Sequence, residues 1–158
     1  MRKSLDSYDV RILDALQRDG ALGNNALAEI VHLSPSQCSR RRAALEAAGI
    51  IEGYRAHLNA KVLGLKLHSI VRLNLKDHDQ ASDEALSKWF RDQPEIQSAF
   101  SLSGDADYIL TVRVEDLEVY SQFVHEKLLR HPLIAQVRSE FVLKTLKDTQ
   151  AVQVTERA

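Results

Sequence analysis

The stretch LSPSQCSRRRAALEAAG, Leu33 to Gly49, decides how the chain is read. Ser34 followed by Pro35 marks a helix start, because the serine hydroxyl accepts an orphan amide and proline's fixed φ suits the first helical position. Gln37, three residues after Ser34, completes a capping-box pattern. Cys38, Leu45 and Ala48 recur on one face, and Gly49 supplies a left-handed stop. Arg40, Arg41 and Arg42 fall in the first half of this helix. That end carries the positive pole of the helix dipole and free N–H groups, a natural seat for phosphate. An arginine triplet alone reads as a solvated basic turn; its neighbours give it a role.

Upstream, Asp6 and Asp9 are spaced as a cap and a first-turn acid, and Tyr8, Ile12 and Leu16 follow at helical spacing until Asp19-Gly20 interrupts them. Asn24 is read as the cap of a short second helix carrying Leu27, Ala28 and Val31, with His32 and Leu33 as the turn into Ser34. Two short helices joined by a tight turn, the second bearing basic and polar residues outward, follow the helix-turn-helix plan. After Gly49, Ile50 to Ala60 alternates poorly between Gly53 and Gly64 and is read as a short wing and a linker strand.

The back half alternates periods. Leu67, Ser69, Val71, Leu73 and Leu75 face one way as a strand, and Ala85, Leu86, Trp89 and Phe90 repeat as a helix before Pro94. Ile96, Ser98, Phe100 and Leu102 predict a second strand, and Tyr108, Leu110, Val112 and Val114 a third, with the Gly/Asp hairpin signal SGDADY between them. Asp116 caps a helix with Leu117, Tyr120, Val124 and Leu128 inward, ended by Pro132; Val137, Ser139, Phe141 and Leu143 give the last strand. The order βαββαβ is the ferredoxin-like plan, an antiparallel sheet with both helices on one face. Its open face is expected to carry Ile70, Ala99, Ile109, Val142 and Leu146, apolar enough to need cover from a second subunit. The fold class is therefore α+β. The expected divisions are a winged helix-turn-helix domain over 1–53, a linker strand over 54–66, and a ferredoxin-like oligomerisation domain over 67–158.

Composition narrows the function classes. Apolar residues at 44% and charged residues at 27% describe a globular chain with a real core, and no apolar run reaches membrane-spanning length. The N-terminus has no signal-peptide pattern, and the single Cys38 fits a reducing cytoplasm, so a cytoplasmic protein without membrane contact is expected. Residues 1–64 hold 9 Lys/Arg against 7 Asp/Glu, net +2, whereas residues 65–158 hold 12 against 15, net −3. A basic front and an acidic back imply two jobs. His32, His57, His68, His78, His125 and His131 show no metal-ligand spacing, and no nucleophile constellation or Gly-rich phosphate loop is present. Neither metal nor cofactor is expected, and an enzyme is the least favoured class.

In these blocks the chain resembles the Lrp/AsnC (feast/famine) family of transcriptional regulators: LDSYDVRILDALQRDG, ALAEIVHLSPSQCSRR, LEAAGIIEGYRAHLN, SGDADYILTVRVEDLEVY and TLKDTQAV, in order over nearly the whole length. The resemblance implies a nucleoid-associated protein that binds DNA through a winged helix-turn-helix, and a ligand-binding role for the domain over 67–158. It also implies a response to a free amino acid, and homodimers assembling to tetramers or octamers. A constitutive, architectural DNA-binding protein with an unused pocket is the alternative. Arg42 stands where the family usually has Val or Ile, and by helical angle it lies toward the core, its guanidinium reaching the rim. Leu133 replaces a glycine common after the second effector helix.

The candidate DNA-binding residues are Ser34 at the cap, Ser36, Gln37, Ser39 and Arg40 facing outward, and Arg41 at the flank for phosphate. Arginine to guanine and glutamine to adenine are the geometrically favoured pairings, and the sequence leaves open which of these residues touches a base and which a phosphate. The resemblance places Ser103, Gly104, Asp105, Asp107 and Tyr108 beside an amino-acid pocket at a subunit interface. A glycine there lets a backbone amide approach a carboxylate, and an aspartate can hold an ammonium group. Gly104 is expected to need a positive φ.

Overall fold

The computed structural model describes residues 4–77 and 79–156; His78 lies outside the described residues. The chain divides into two compact units, Met1–His57 with Lys147–Ala158, and Leu58–Leu146.

The first unit is built on three helices, α1 (Ser7–Arg18), α2 (Asn24–Val31) and α3 (Pro35–Ala47). Asp6 caps α1 by accepting from the Asp9 amide at 2.9 Å. At α2 the expected cap fails. Gly23 occupies the cap position without a side-chain bond, and Asn24 is the first helical residue, its Oδ1 buried without a partner. His32 ends α2 in the left-handed region at φ 57°, which turns the chain sharply into α3. The Ser34/Gln37 capping box forms in both directions, and Gly49 follows α3 with φ 67°. Ile12, Leu27, Val31, Cys38 and Leu45 are fully buried between the helices. Each large aliphatic among them contributes about 1.5–3 kcal/mol relative to exposure. Ala48, expected on the buried face, is exposed, because that face has already run past the core at Leu45.

No strand forms between Ile51 and Lys66 among the described residues, so the expected wing and linker strand are absent as ladders; Asn59 to Leu65 instead makes consecutive turns. The end of the chain also differs from the expected 67–158 unit. Val154 packs on the helical core, and Gln17 grips the tail from both sides, its Oε1 accepting from the Val152 amide at 2.7 Å and its Nε2 donating to the Val152 carbonyl at 3.1 Å. An extended, polar tail carries no period, so its sequence gave no sign of this return.

The second unit is a four-stranded antiparallel sheet of β1 (Leu67–Leu75), β2 (Ile96–Ser101), β3 (Tyr108–Val114) and β4 (Ile134–Phe141) in the order β2-β3-β1-β4. Helices α4 (Gln80–Arg91) and α5 (Leu117–Gln122) supply the rest of its core. Val71, Leu73, Leu110 and Val112 meet Leu86, Phe90, Tyr120 and Phe123 there. A hydroxyl chain ties α5 to the sheet: Ser69 Oγ donates to Tyr120 Oη at 3.1 Å, and Tyr120 donates to Ser139 Oγ at 2.6 Å.

Two expectations of register are corrected. After Gln122, α5 continues as a π-helical turn, Phe123–Leu128, so Phe123 and Leu128, five residues apart, are buried while Leu117 is 60% exposed. A β-bulge between Ile96 and Ser98 then flips the rest of β2. Ile96 pairs with Val112 on the helix side, whereas Phe100 pairs with Ile109 on the open face; Ala99, opposite Leu110, leaves that face. Leu146 lies beyond the strands. The open face thus carries Ile70, Phe100 and Ile109 among polar pairs: Arg72 with Glu140 at 3.3 Å and Ser98 with Thr111 at 2.7 Å.

Candidate functional site

Helix α3 presents a short-chained outer face. Opposite the buried Cys38 and Leu45 lie Ser36, Arg40, Ala43 and Ala47, all exposed, with Ser39 and Gln37 to either side. Arg40 is the long side chain on this face and takes no part in the ion pairs of its two neighbours. The small residues around it let the helix backbone approach a groove closely, and alanine can meet a thymine methyl.

The other candidates have local duties. Gln37 Oε1 accepts from the Ser34 amide at 3.1 Å and from its hydroxyl at 3.0 Å, and Ser34 Oγ caps the Gln37 amide at 3.2 Å. With Oε1 spent on the cap, Gln37 can offer a base edge only its amide N–H groups. A bidentate pairing with adenine needs donor and acceptor together and would require Oε1 to leave the cap. Arg41 differs more. Its Nη1 lies 2.8 Å from Asp9 Oδ1 and 2.8 Å from Asp6 Oδ2, and Tyr8 lies beside the guanidinium at 5.4 Å. The hydrogen bond that Arg41 donates to Asp9, then the one it donates to Asp6, raise the Arg41 pKa. The Asp9 amide first, and Arg41 second, hold the Asp6 carboxyl below its ordinary value. The guanidinium expected to seat a phosphate already has two carboxylates. Nothing in the sequence pairs residues 32 and 35 positions apart, so this contact was not foreseen.

Arg42 reaches the rim, as its helical angle implied. Its Nη1 donates to the Leu22 carbonyl at 2.9 Å, and its Nε donates to Tyr54 Oη at 2.7 Å and lies 3.2 Å from Glu46 Oε1.

In the second unit the Ser103–Asp107 loop joins β2 to β3, closed by the Leu102 amide donating to the Asp107 carbonyl at 2.8 Å. Ser103, Gly104 and Asp105 are exposed at its tip. Asp107 turns inward, its Oδ2 accepting from the Leu75 amide at 2.7 Å, and its own amide donates to the Leu73 carbonyl at 2.9 Å. Tyr108 is 5% exposed and packs edge-on against Phe90 at 5.4 Å. The five candidates therefore split: three face solvent, while Asp107 and Tyr108 brace the loop. Asn74, not singled out in the sequence, steadies the tip by donating to the Asp105 carbonyl at 2.8 Å. Gly104 does not adopt a positive φ, and a Cβ there would meet no atom within 4 Å, so the expected conformational need is corrected. An open cleft of about 590 Å3 lies alongside, between α4 and β2, lined by Asp83, Ser87, Arg91, Ser98, Ser101 and Tyr108.

Residues 68–152 match the family model described as the Lrp/AsnC ligand binding domain, and residues 5–52 match one described as winged helix-turn-helix DNA-binding. The chain belongs to the Lrp/AsnC family. A leucine-responsive regulatory protein from Rhizobium meliloti is 36% identical over 154 residues, covering 98% of this chain and 99% of its own. Its counterpart in Haemophilus influenzae is 37% identical over 147 residues, covering 93% and 89%. Among solved structures, a Neisseria meningitidis transcriptional regulator in complex with L-Met superposes with a TM-score of 0.92 at 37% identity, covering 95% of this chain and 97% of its own. This Lrp/AsnC chain is a DNA-binding transcriptional regulator with a ligand-binding domain.

Proposed function

We propose that the chain reads duplex DNA of a particular sequence through Ser36, Ser39, Arg40 and the side-chain N–H groups of Gln37 on α3, and that a small amino-acid-like effector alters that binding. The observation that carries the reading is Arg40, an arginine unengaged by its neighbours' carboxylates and projecting from the outer face of a capped second helix in a helix-turn-helix unit. The effector seat is the tip Ser103–Asp105, supported by its exposure and by the L-Met complex of the meningococcal relative. Asp107 and Tyr108 act by holding that tip in place.

The functional unit is a cytoplasmic homodimer able to assemble to tetramers or octamers, with the Ile70, Phe100 and Ile109 face covered by a second copy. Among the described residues no helix is long and apolar enough to cross a membrane. An effector can change DNA binding only by its different affinity for different arrangements of the assembly.

The test is a thermal-shift titration with L-methionine and L-leucine, followed by gel shifts on DNA selected by the chain, with and without each amino acid. A raised melting temperature together with a changed DNA affinity supports the reading, since a ligand of the folded state stabilises it. Tight, selective DNA binding indifferent to free amino acids would instead favour the constitutive architectural role.

A further inference from the structure

Helix α3 is held on its inner side by little apolar surface. Cys38 and Leu45, two turns apart, are its only buried residues among those described, and Cys38 is small. Packing of that kind fixes where the helix lies better than how it is rotated about its axis. Arg42 restrains one flank through the Leu22 carbonyl, and the Arg41 ion pairs restrain the other: Asp6, the cap of α1, and Asp9 in its first turn both reach Nη1 of Arg41 on α3, and Asp9 is 4% exposed. Arg41 adjoins Arg40 and follows Gln37 by one helical turn. A rotation of α3 moves the long Arg40 side chain furthest.

We infer that Asp6, Asp9 and Arg41 form a lock that sets the rotation of α3, making them positioning residues for sequence discrimination and removing Arg41 from the phosphate contacts. The inference rests on the reading of α3 as the DNA-contacting helix. Both acids already hold Arg41 through Nη1, so an approaching phosphate has to compete with two carboxylates for it. Taking Arg41 to a phosphate would also strand the buried Asp9 carboxylate, a costly state for a charge with so little access to water.

The experiment uses the full chain and two duplexes of equal length. One is the sequence it selects from a random pool; the other is unrelated. Both affinities are measured from 50 to 200 mM salt for the native chain and for Arg41→Gln, Arg41→Lys, Asp9→Asn and Asp6→Asn. The lock predicts that Arg41→Gln and Asp9→Asn weaken binding to the selected duplex by about tenfold or more, a loss on the scale of one base contact. They should leave the unrelated duplex within about twofold and the salt slope unaltered. Arg41→Lys should recover part of the discrimination. Asp9→Asn is the sharpest arm, because removing a negative charge would by electrostatics alone tighten binding to both duplexes. The exposed Asp6→Asn, which keeps a capping side chain, gives the same contrast in weaker form if Asp9→Asn does not fold. Since both duplexes are titrated with one preparation, a partly unfolded sample leaves their ratio unchanged. The lock is overturned if Arg41→Gln weakens both duplexes alike with a slope shallower by about 0.9, the signature of a lost phosphate contact. Tighter binding of both duplexes by Asp9→Asn overturns it equally. If the native chain selects no sequence at all, the DNA-reading proposal fails first and the lock with it.

Discussion

Arg42 and Tyr54 hold each other twice: Nε donates to the Tyr54 hydroxyl at 2.7 Å, and the guanidinium carbon lies 4.3 Å from the centre of the same ring. Tyr54 in turn donates to Glu46 at 2.8 Å. Burial first, and the Glu46 hydrogen bond second, raise the pKa of that hydroxyl and keep its proton in place. The pair pins the segment leaving α3 to the helix it has just left. In a double-mutant cycle of Arg42→Met and Tyr54→Leu, we expect a coupling of about 1–2 kcal/mol, from the stacked cation and the shared hydrogen bond. Urea unfolding midpoints measure it, and additive single effects would show that the contact holds nothing.

The tail should be held by one side chain. Gln17 both accepts from and donates to the backbone of Val152. Gln17→Ala removes both bonds from an exposed position, so the fold should persist while the amides around Val152 exchange faster with solvent. Hydrogen-exchange mass spectrometry of the 147–156 segment reads this directly. Unaltered protection would mean that the apolar contact of Val154 suffices.

His131 sets a pH dependence. Burial first, and the charge of Lys76 second, push its pKa below 6.5; Trp89 lies 4.7 Å from its ring, and its Nδ1 accepts from the Leu133 amide at 3.3 Å. A histidine whose folded pKa is depressed binds protons more readily when unfolded. Its contribution to stability is therefore complete above about pH 6.5 and is lost as the pH falls toward the folded value. The melting temperature of the native chain should decline over that interval, and His131→Gln should decline less. Equal slopes for the two proteins would remove His131 as the cause.

The elements that sequence made legible share a cause: local chemistry repeated at a fixed period. The Ser34/Gln37 box, the Asp6 and Asp116 caps, and the alternation of β1 and β3 are each decided by residues within a few positions of one another. What escaped notice depends on partners far along the chain or on one extra residue. The bulge after Ile96 turned Phe100 to the open face and Ala99 away from it, and the π turn brought Phe123 inward in place of Leu117. The candidate site divides the same way. The outward direction of Arg40 follows from helical angle, but the capture of Arg41 by Asp6 and Asp9, the commitment of Asp107 to Leu75, and the support of Asp105 by Asn74 do not.

The most direct test of the account is the affinity of Arg40→Ala for the DNA the native chain selects, measured by fluorescence anisotropy at fixed salt. Arg40 is exposed on α3 and outside its neighbours' ion pairs, so alanine should leave the melting temperature within about 2 °C, in keeping with a surface change of under about 0.5 kcal/mol. Loss of one base contact should cost about 1–3 kcal/mol, or about 5- to 150-fold in affinity, and should relax the base preference at one position of the site. A folded Arg40→Ala chain that binds the selected duplex as tightly as the native chain, with the same preference, would contradict the claim that this face of α3 reads DNA.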